Sequence, residues 1–347
     1  VDRKRVLPRG KWRVVAWAAV AMVLLVTALG GVVLWQNDYD MKTERLTIRQ
    51  GGHVLHAVLS TPVESGERHP LVVMIHGDAA VDATHEDGYL PMWETYARAG
   101  YATLSWAKPG VDGAPGNWLD QSMDDRADEA AAAIAWARAR PDLDAGRIGL
   151  WGVSQAGWVL PKIAKRTSVA FVMAVSPAIN WLRQGRYNLL AELKDRDASP
   201  ATVRRELDER DRVLGLLKRR ASYQEYVRVM GGAQGMSPNR WIFIGKNFTS
   251  DATDDLLALR GTPVLLALAG HDRNVDTTDT EAVYREQLES GGKLTVRHYP
   301  DADHSMVKDA LARSELKSTL VFLFAPRSVF AHRYLDDQNR FLRGLRP

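Results

Sequence analysis

The sequence contains no cysteine, which excludes disulfides, thiolate metal sites and a cysteine nucleophile together. Its nine histidines are scattered without the paired spacing of a ligand set, so no metal is expected. It also lacks a basic face, although a net charge of +4 and a pI near 9.2 suggest one. Within residues 1–13, Arg3, Lys4, Arg5, Arg9, Lys11 and Arg13 stand against Asp2 alone, a local +5 that leaves −1 on the remaining 334 residues. The basicity belongs to a short tail, which argues against nucleic acid as a partner. No internal repeat or low-complexity tract is present, and 46% hydrophobic with 25% charged residues is the balance of a folded chain.

Residues 14–35 follow the tail with Thr27 as their one clearly polar side chain. As a helix these 22 residues reach about 33 Å, enough to cross a hydrocarbon core of about 30 Å. Trp12, Trp17 and Trp35 near the ends suit interfacial anchors, and the preceding cations place the N-terminus in the cytoplasm and residues 36–347 outside. A cleaved signal peptide is the alternative, with Ala28-Leu29-Gly30 as a loose cleavage-site match. The apolar run exceeds the usual signal core, which favours an anchor.

Two strands, 44–50 and 53–60, are expected to meet in a hairpin at Gly51-Gly52. Apolar runs at 71–75, 101–105, 148–151, 169–175, 264–269 and 294–299 then suit strands buried on both faces of a parallel sheet. Helical stretches separate most of them; the clearest is 122–140, with Ser122 and Asp125 at capping-box spacing and Pro141 after its end. Strand and helix in alternation predict a doubly wound α/β sheet. The alternation breaks at 178–260, where Ser199-Pro200 opens a charged helix, and this interval reads as a helical insertion covering one end of the sheet. Its aromatic residues Trp181, Tyr187, Trp241 and Phe243 are read as core.

The chemistry is expected at Gly152-Val153-Ser154-Gln155-Ala156-Gly157. A serine presented on a sharp strand-to-helix turn needs small residues two before, two after and three after it, and Gly152, Ala156 and Gly157 supply them. The Gln155 backbone N–H would donate to an oxyanion there. The loop after 71–75 reads His76-Gly77-Asp78-Ala79; the Asp78 N–H is the candidate second donor, and His76 reads as a loop-packing residue.

A serine hydroxyl needs a base, and the base needs a carboxylate to orient it. Asp272 lies just past the apolar run 264–269, where open α/β sheets place functional groups. Asp276 and Asp279 compete, but both fall near the start of the next helix, where acids need no further explanation. His304, in the loop after 294–299, is the expected base; His298 and His271 read as structural or surface residues.

With these residues in order, the chain resembles the α/β-hydrolase superfamily, closest to bacterial dienelactone-hydrolase-like and prolyl-oligopeptidase-like catalytic domains. The resemblance covers roughly residues 44–325 and is carried by His76-Gly77-Asp78, by 125–136 leading through Pro141 and Arg147-Ile148-Gly149 into the Ser154 turn, and by the Gly270 and His304 loops. It implies an α/β-hydrolase fold and serine-dependent cleavage of an ester, thioester or amide without a cofactor. Two departures are present. Ala156 replaces the more frequent glycine, and Lys108-Pro109-Gly110 stands where relatives often carry Asp-Arg-Gly. Pro161 should also kink the helix after Ser154 or end its first section.

The organisation expected is therefore a basic cytoplasmic tail (1–13), a transmembrane helix or signal anchor (14–35), a catalytic domain (36–177 and 261–347) and a helical cap insertion (178–260). The expected activity is a membrane-anchored, extracytoplasmic carboxylesterase-like serine hydrolase using Ser154, Asp272 and His304 on a small-molecule acyl substrate. Acyl transfer, peptidase activity and an inactive binding or scaffold domain are the alternatives left open.

Overall fold

The computed structural model describes residues 9–64 and 68–345, so most of the basic tail at 1–13 lies outside the described residues. The chain opens with α1 (Arg9–Gln36), within which Trp12–Gln36 has a mean hydropathy of 2.4 and its most apolar stretch is not buried. By length and composition this helix can cross a membrane.

Eight strands follow: β1 (Lys42–Gln50), β2 (His53–Thr61), β3 (His69–Ile75), β4 (Ala102–Trp106), β5 (Leu143–Val153), β6 (Val172–Val175), β7 (Val264–His271) and β8 (Leu294–Asp303). They form one sheet in the order β1-β2-β4-β3-β5-β6-β7-β8, with β1 and β2 antiparallel and all pairings from β4 to β8 parallel. The apolar runs are continuous because both faces are covered. Leu71, Val73 and Ile75 enter one core, while Val72 and Met74 enter the other. β7 alternates likewise, with Leu266 on the first side and Leu265 on the second.

Between the strands run α2 (Leu90–Arg98), α3 (Met123–Arg138) and α4 (Leu160–Arg166). Ser122 and Asp125 form the expected capping box at the start of α3, each side chain accepting from the other's backbone N–H. The helix expected after Ser154 is divided. A 3-10 turn, Ser154–Trp158, precedes α4, and Pro161 occupies the first turn of α4, where its missing N–H leaves no helical bond unmade.

The interval without strands holds α5 (Trp181–Asp195), α6 (Pro200–Lys218), α7 (Tyr223–Met230) and α8 (Pro238–Asn247). Ser199 caps α6 by accepting from the Thr202 N–H. Leu216, Leu217, Ala221, Tyr226 and Trp241 make a small core of their own, so Trp241 is core as expected; Phe243 is buried in the larger core beside the sheet. The chain then continues through α9 (Thr277–Leu288), α10 (Asp309–Ala312), α11 (Glu315–Phe324) and α12 (Tyr334–Gly344).

The chain goes from β3 outward to β4, then crosses back over β3 to β5 and continues the other way. The sheet therefore reverses direction between β3 and β5, and a crevice opens beyond their carboxyl ends. Their ladder runs to Ile75 opposite Gly152, so His76-Gly77-Asp78 and Ser154 emerge side by side.

The Ser154 turn is tightly packed. A Cβ on Gly152 would lie 2.7 Å from the Ala156 Cβ, and one on Gly157 would lie 2.3 Å from the Ala178 carbonyl oxygen. Gly157→Ala should therefore lower stability by about 2 kcal/mol or more, since backbone rather than a flexible side chain must move. Gly245→Ala, in the exposed part of α8 with open space around it, should raise stability by about 0.5–1 kcal/mol. Thermal midpoints of the full chain in one detergent check the contrast, and equal shifts would contradict it.

Candidate active site

Ser154 is the first residue past β5 and holds φ at +58°, a left-handed conformation that costs a non-glycine residue about 1 kcal/mol or more. The surrounding packing maintains it. Asp272 directly follows β7, is buried, and accepts from the backbone N–H groups of Asn274 (2.9 Å) and Val275 (2.8 Å). His304 directly follows β8 and donates from Nδ1 to both Asp272 oxygens, at 2.9 and 2.8 Å. That bond leaves Nε2 as the basic ring nitrogen, and Nε2 has no protein partner among the described residues. Ser154 and His304 line one cavity of about 420 Å³, together with Gln155 and Asp78.

The competing acids are occupied elsewhere. Asp276 caps α9 through the N–H groups of Thr278 and Asp279, while Asp279 pairs with Arg183. His298 pairs with Glu281 at the surface.

The backbone N–H groups of Asp78 and Gln155 have no hydrogen-bond partner among the described residues, and both residues line the cavity beside Ser154. Their side chains are joined to each other, Gln155 Nε2 donating to Asp78 Oδ1 at 3.1 Å. Arg126, from α3, donates to Gln155 Oε1 and to the His76 carbonyl, both at 2.6 Å. Lys108, after β4, donates to the carbonyls of Gly77 (2.5 Å) and Ala79 (2.8 Å). Arg240, from α8, holds Asp78 through two hydrogen bonds at 2.9 and 2.5 Å.

Two cations are thus buried under one loop. Burial pushes Lys108 well below its ordinary range, with the charge of Arg126 acting the same way, and burial lowers Arg126 to about 10. Burial alone would raise the Asp78 carboxyl, but the hydrogen bonds and charge of Arg240 hold it below the ordinary carboxylate value.

Sequence reasoning missed Arg126 and Arg240 and noted Lys108 only as a departure. No short-range signal marks them, because each acts across a long sequence separation on another loop. Trp181, read as core, packs there but also stacks on Trp158 at 4.9 Å and lines the cavity. Tyr187, also read as core, donates to the Asp272 carbonyl at 2.8 Å.

His76 is buried, with Nε2 donating to the Trp106 carbonyl at 2.8 Å, in keeping with a packing role. Its burial, with the nearby Lys108 charge, depresses its pKa to about 3. An unfolded imidazole binds its proton below about 6.5, whereas folded His76 does so only near 3. The unfolded chain therefore binds more protons across that window, and the His76 contribution, complete above about 6.5, is lost as pH falls toward 3. His76→Gln, whose amide can still donate to Trp106, should flatten the fall in thermal stability between pH 6.5 and 4, where one proton is worth at most ~1.4 kcal/mol per pH unit. Parallel curves for the two proteins would contradict this.

A carboxylate-oriented imidazole, a serine on a strained turn and two free N–H groups at a switch-point crevice define an α/β-hydrolase. The sequence matches the X-Pro dipeptidyl-peptidase (S15) family over residues 51–298, and the protein belongs to that family of hydrolases. The fold is similar to that of the esterase Pf2001 of Pyrococcus furiosus (15% identity, 81% of this chain and 89% of that chain covered, TM-score 0.54). It is similar to an esterase of Pyrobaculum calidifontis (15% identity, 90% and 89% covered, TM-score 0.54) and to the α/β hydrolase GrgF of Penicillium sp. sh18 (16% identity, 87% and 98% covered, TM-score 0.54). A search of curated proteins by sequence returns no match.

Proposed function

We propose that the protein is a serine hydrolase that cleaves a carboxylic ester or thioester of a small molecule, working outside the membrane to which α1 anchors it. The observation that carries the serine mechanism is the bond from His304 Nδ1 to Asp272 in the cavity that also holds Ser154. Nε2 of His304 takes the Ser154 proton as Oγ attacks the acyl carbon, and Asp272 stabilises the imidazolium. The Gln155 and Asp78 N–H groups receive the oxyanion. The intermediate collapses as the leaving oxygen or sulfur takes the proton from His304; water then attacks the acyl-enzyme by the same route and releases the acid.

The family match favours a second reading, cleavage of a dipeptide from a free N-terminus. That reaction calls for an uncompensated anion to receive the substrate's ammonium group. Asp78 is the one carboxylate among the described residues lining the cavity, and Arg240 already neutralises it. This supports the ester reading, as do the esterases among the similar folds.

A fluorophosphonate probe should label the wild type and not Ser154→Ala, and that substitution should lower ester turnover by roughly four to six orders of magnitude. Undiminished labelling would remove Ser154 as nucleophile. Nitrophenyl esters of graded acyl length should be turned over with higher kcat/KM than X-Pro nitroanilides; the opposite order would establish the peptidase reading.

A further inference from the structure

Eight large apolar residues outside α1 are exposed among the described residues, and four of them lie on α11: Leu316, Leu320, Phe322 and Leu323. Leu316, Leu320 and Leu323 recur at helical spacing and share one face. The hydroxyl of Thr319, which interrupts that face, donates to the Glu315 carbonyl at 2.8 Å and needs no water. At ten residues α11 is too short to span a bilayer.

Its position fixes what covers it. Asn37, the residue after α1, donates from Nδ2 to the Leu323 carbonyl at 3.0 Å. Arg327, three residues past α11, donates to the carbonyls of Gln36 (2.5 Å) and Asp38 (2.8 Å) and lies over the Tyr39 ring. The same guanidinium pairs with buried Glu94 on α2 at 2.6 and 2.9 Å, so the exit of α1 is fastened both to α11 and to the sheet domain. Trp35, largely exposed, stands at this exit, where indole rings favour the headgroup level of a membrane.

Resting on the reading of α1 as a membrane anchor, we infer that α11 is an interfacial helix. Its Leu316, Leu320 and Leu323 face sits in the headgroup and upper acyl region of the leaflet from which α1 emerges. The span sets the depth of Asn37, the hydrogen bond to Leu323 brings α11 to that depth, and the apolar face has the chemistry of that layer. The joint at Arg327 then holds the hydrolase domain in one orientation on the surface.

Because the chain has no cysteine, single cysteines can be labelled with an environment-sensitive fluorophore in the chain of residues 1–347. Leu320→Cys, Leu323→Cys, Val23→Cys within α1 and Arg212→Cys on α6 would each be reconstituted in phosphatidylcholine–phosphatidylglycerol vesicles. Labels at 320 and 323 should shift to the blue relative to 212 and lose more emission to lipids bearing a quencher near the headgroup than to lipids bearing it at the acyl end. The label at 23 should show the reverse depth order. Emission at 320 and 323 equal to that at 212, with 23 deeply quenched, would overturn the inference and leave the anchor standing. Absence of quenching at 23 would overturn the anchor reading and the inference with it. A blue shift at 320 that follows protein concentration and ignores both quenchers would assign the face to a second copy of the chain and also overturn the inference.

Discussion

The parallel pairing of β3 with β5 is the contact on which the site depends. Neither strand carries a reactive group, yet Ile75 opposite Gly152 sets the distance between the loops that follow. A slip of one residue in this ladder would turn every buried side chain of β3 to the opposite face. Leu71, Val73 and Ile75 are all fully or nearly buried, as are Val72 and Met74, so the register is held by apolar burial on both sides. Parallel strands also need crossovers, and the reversal from β4 to β5 leaves the crevice that a substrate can enter.

What the strands place roughly, buried charge places finely. The carbonyls of His76, Gly77 and Ala79 all receive donors from cationic side chains, Arg126 or Lys108. Taking those cations out of water is costly, and their hydrogen bonds to loop carbonyls and to Gln155 offset the cost in part. The consequence is a loop whose carbonyls point inward to the cations. Asp78 and Gln155 both line the cavity, and the hydrogen bond between their side chains ties the two loops together.

The sheet, the strained serine and the Asp272–His304 pair were readable because each leaves a local mark: a five-residue apolar run, small residues around Ser154, an acid or histidine just past a strand. The alternative acids could be set aside because helix starts explain them, and Asp276 indeed caps α9. Arg126 and Arg240 left no such mark. In sequence Arg126 is one more charge on an amphipathic helix and Arg240 one more in a charged insertion, and only the fold shows that they meet Gln155 and Asp78. Only the fold shows, likewise, that Trp181 lines the cavity as well as packing on the core. A large aromatic on a helix can pack against the core with one edge and line a cavity with the other, and helical periodicity does not separate the two.

Arg240 also changes what the helical interval means for the chemistry. It reaches the Asp78 carboxylate from α8, so the position of the helices between β6 and β7 and the charge on the cavity wall beside Ser154 are one variable. With Arg240 in place, the Asp78 side chain in the cavity wall is neutralised. Without it, an unpaired carboxylate would line the cavity beside Ser154 and repel negative charge there. An open cavity requires space beside these helices, whereas neutralisation of the Asp78 carboxylate requires α8 to be near it. The bidentate Arg240–Asp78 pair satisfies the second requirement while leaving a cavity of about 420 Å³ for the first.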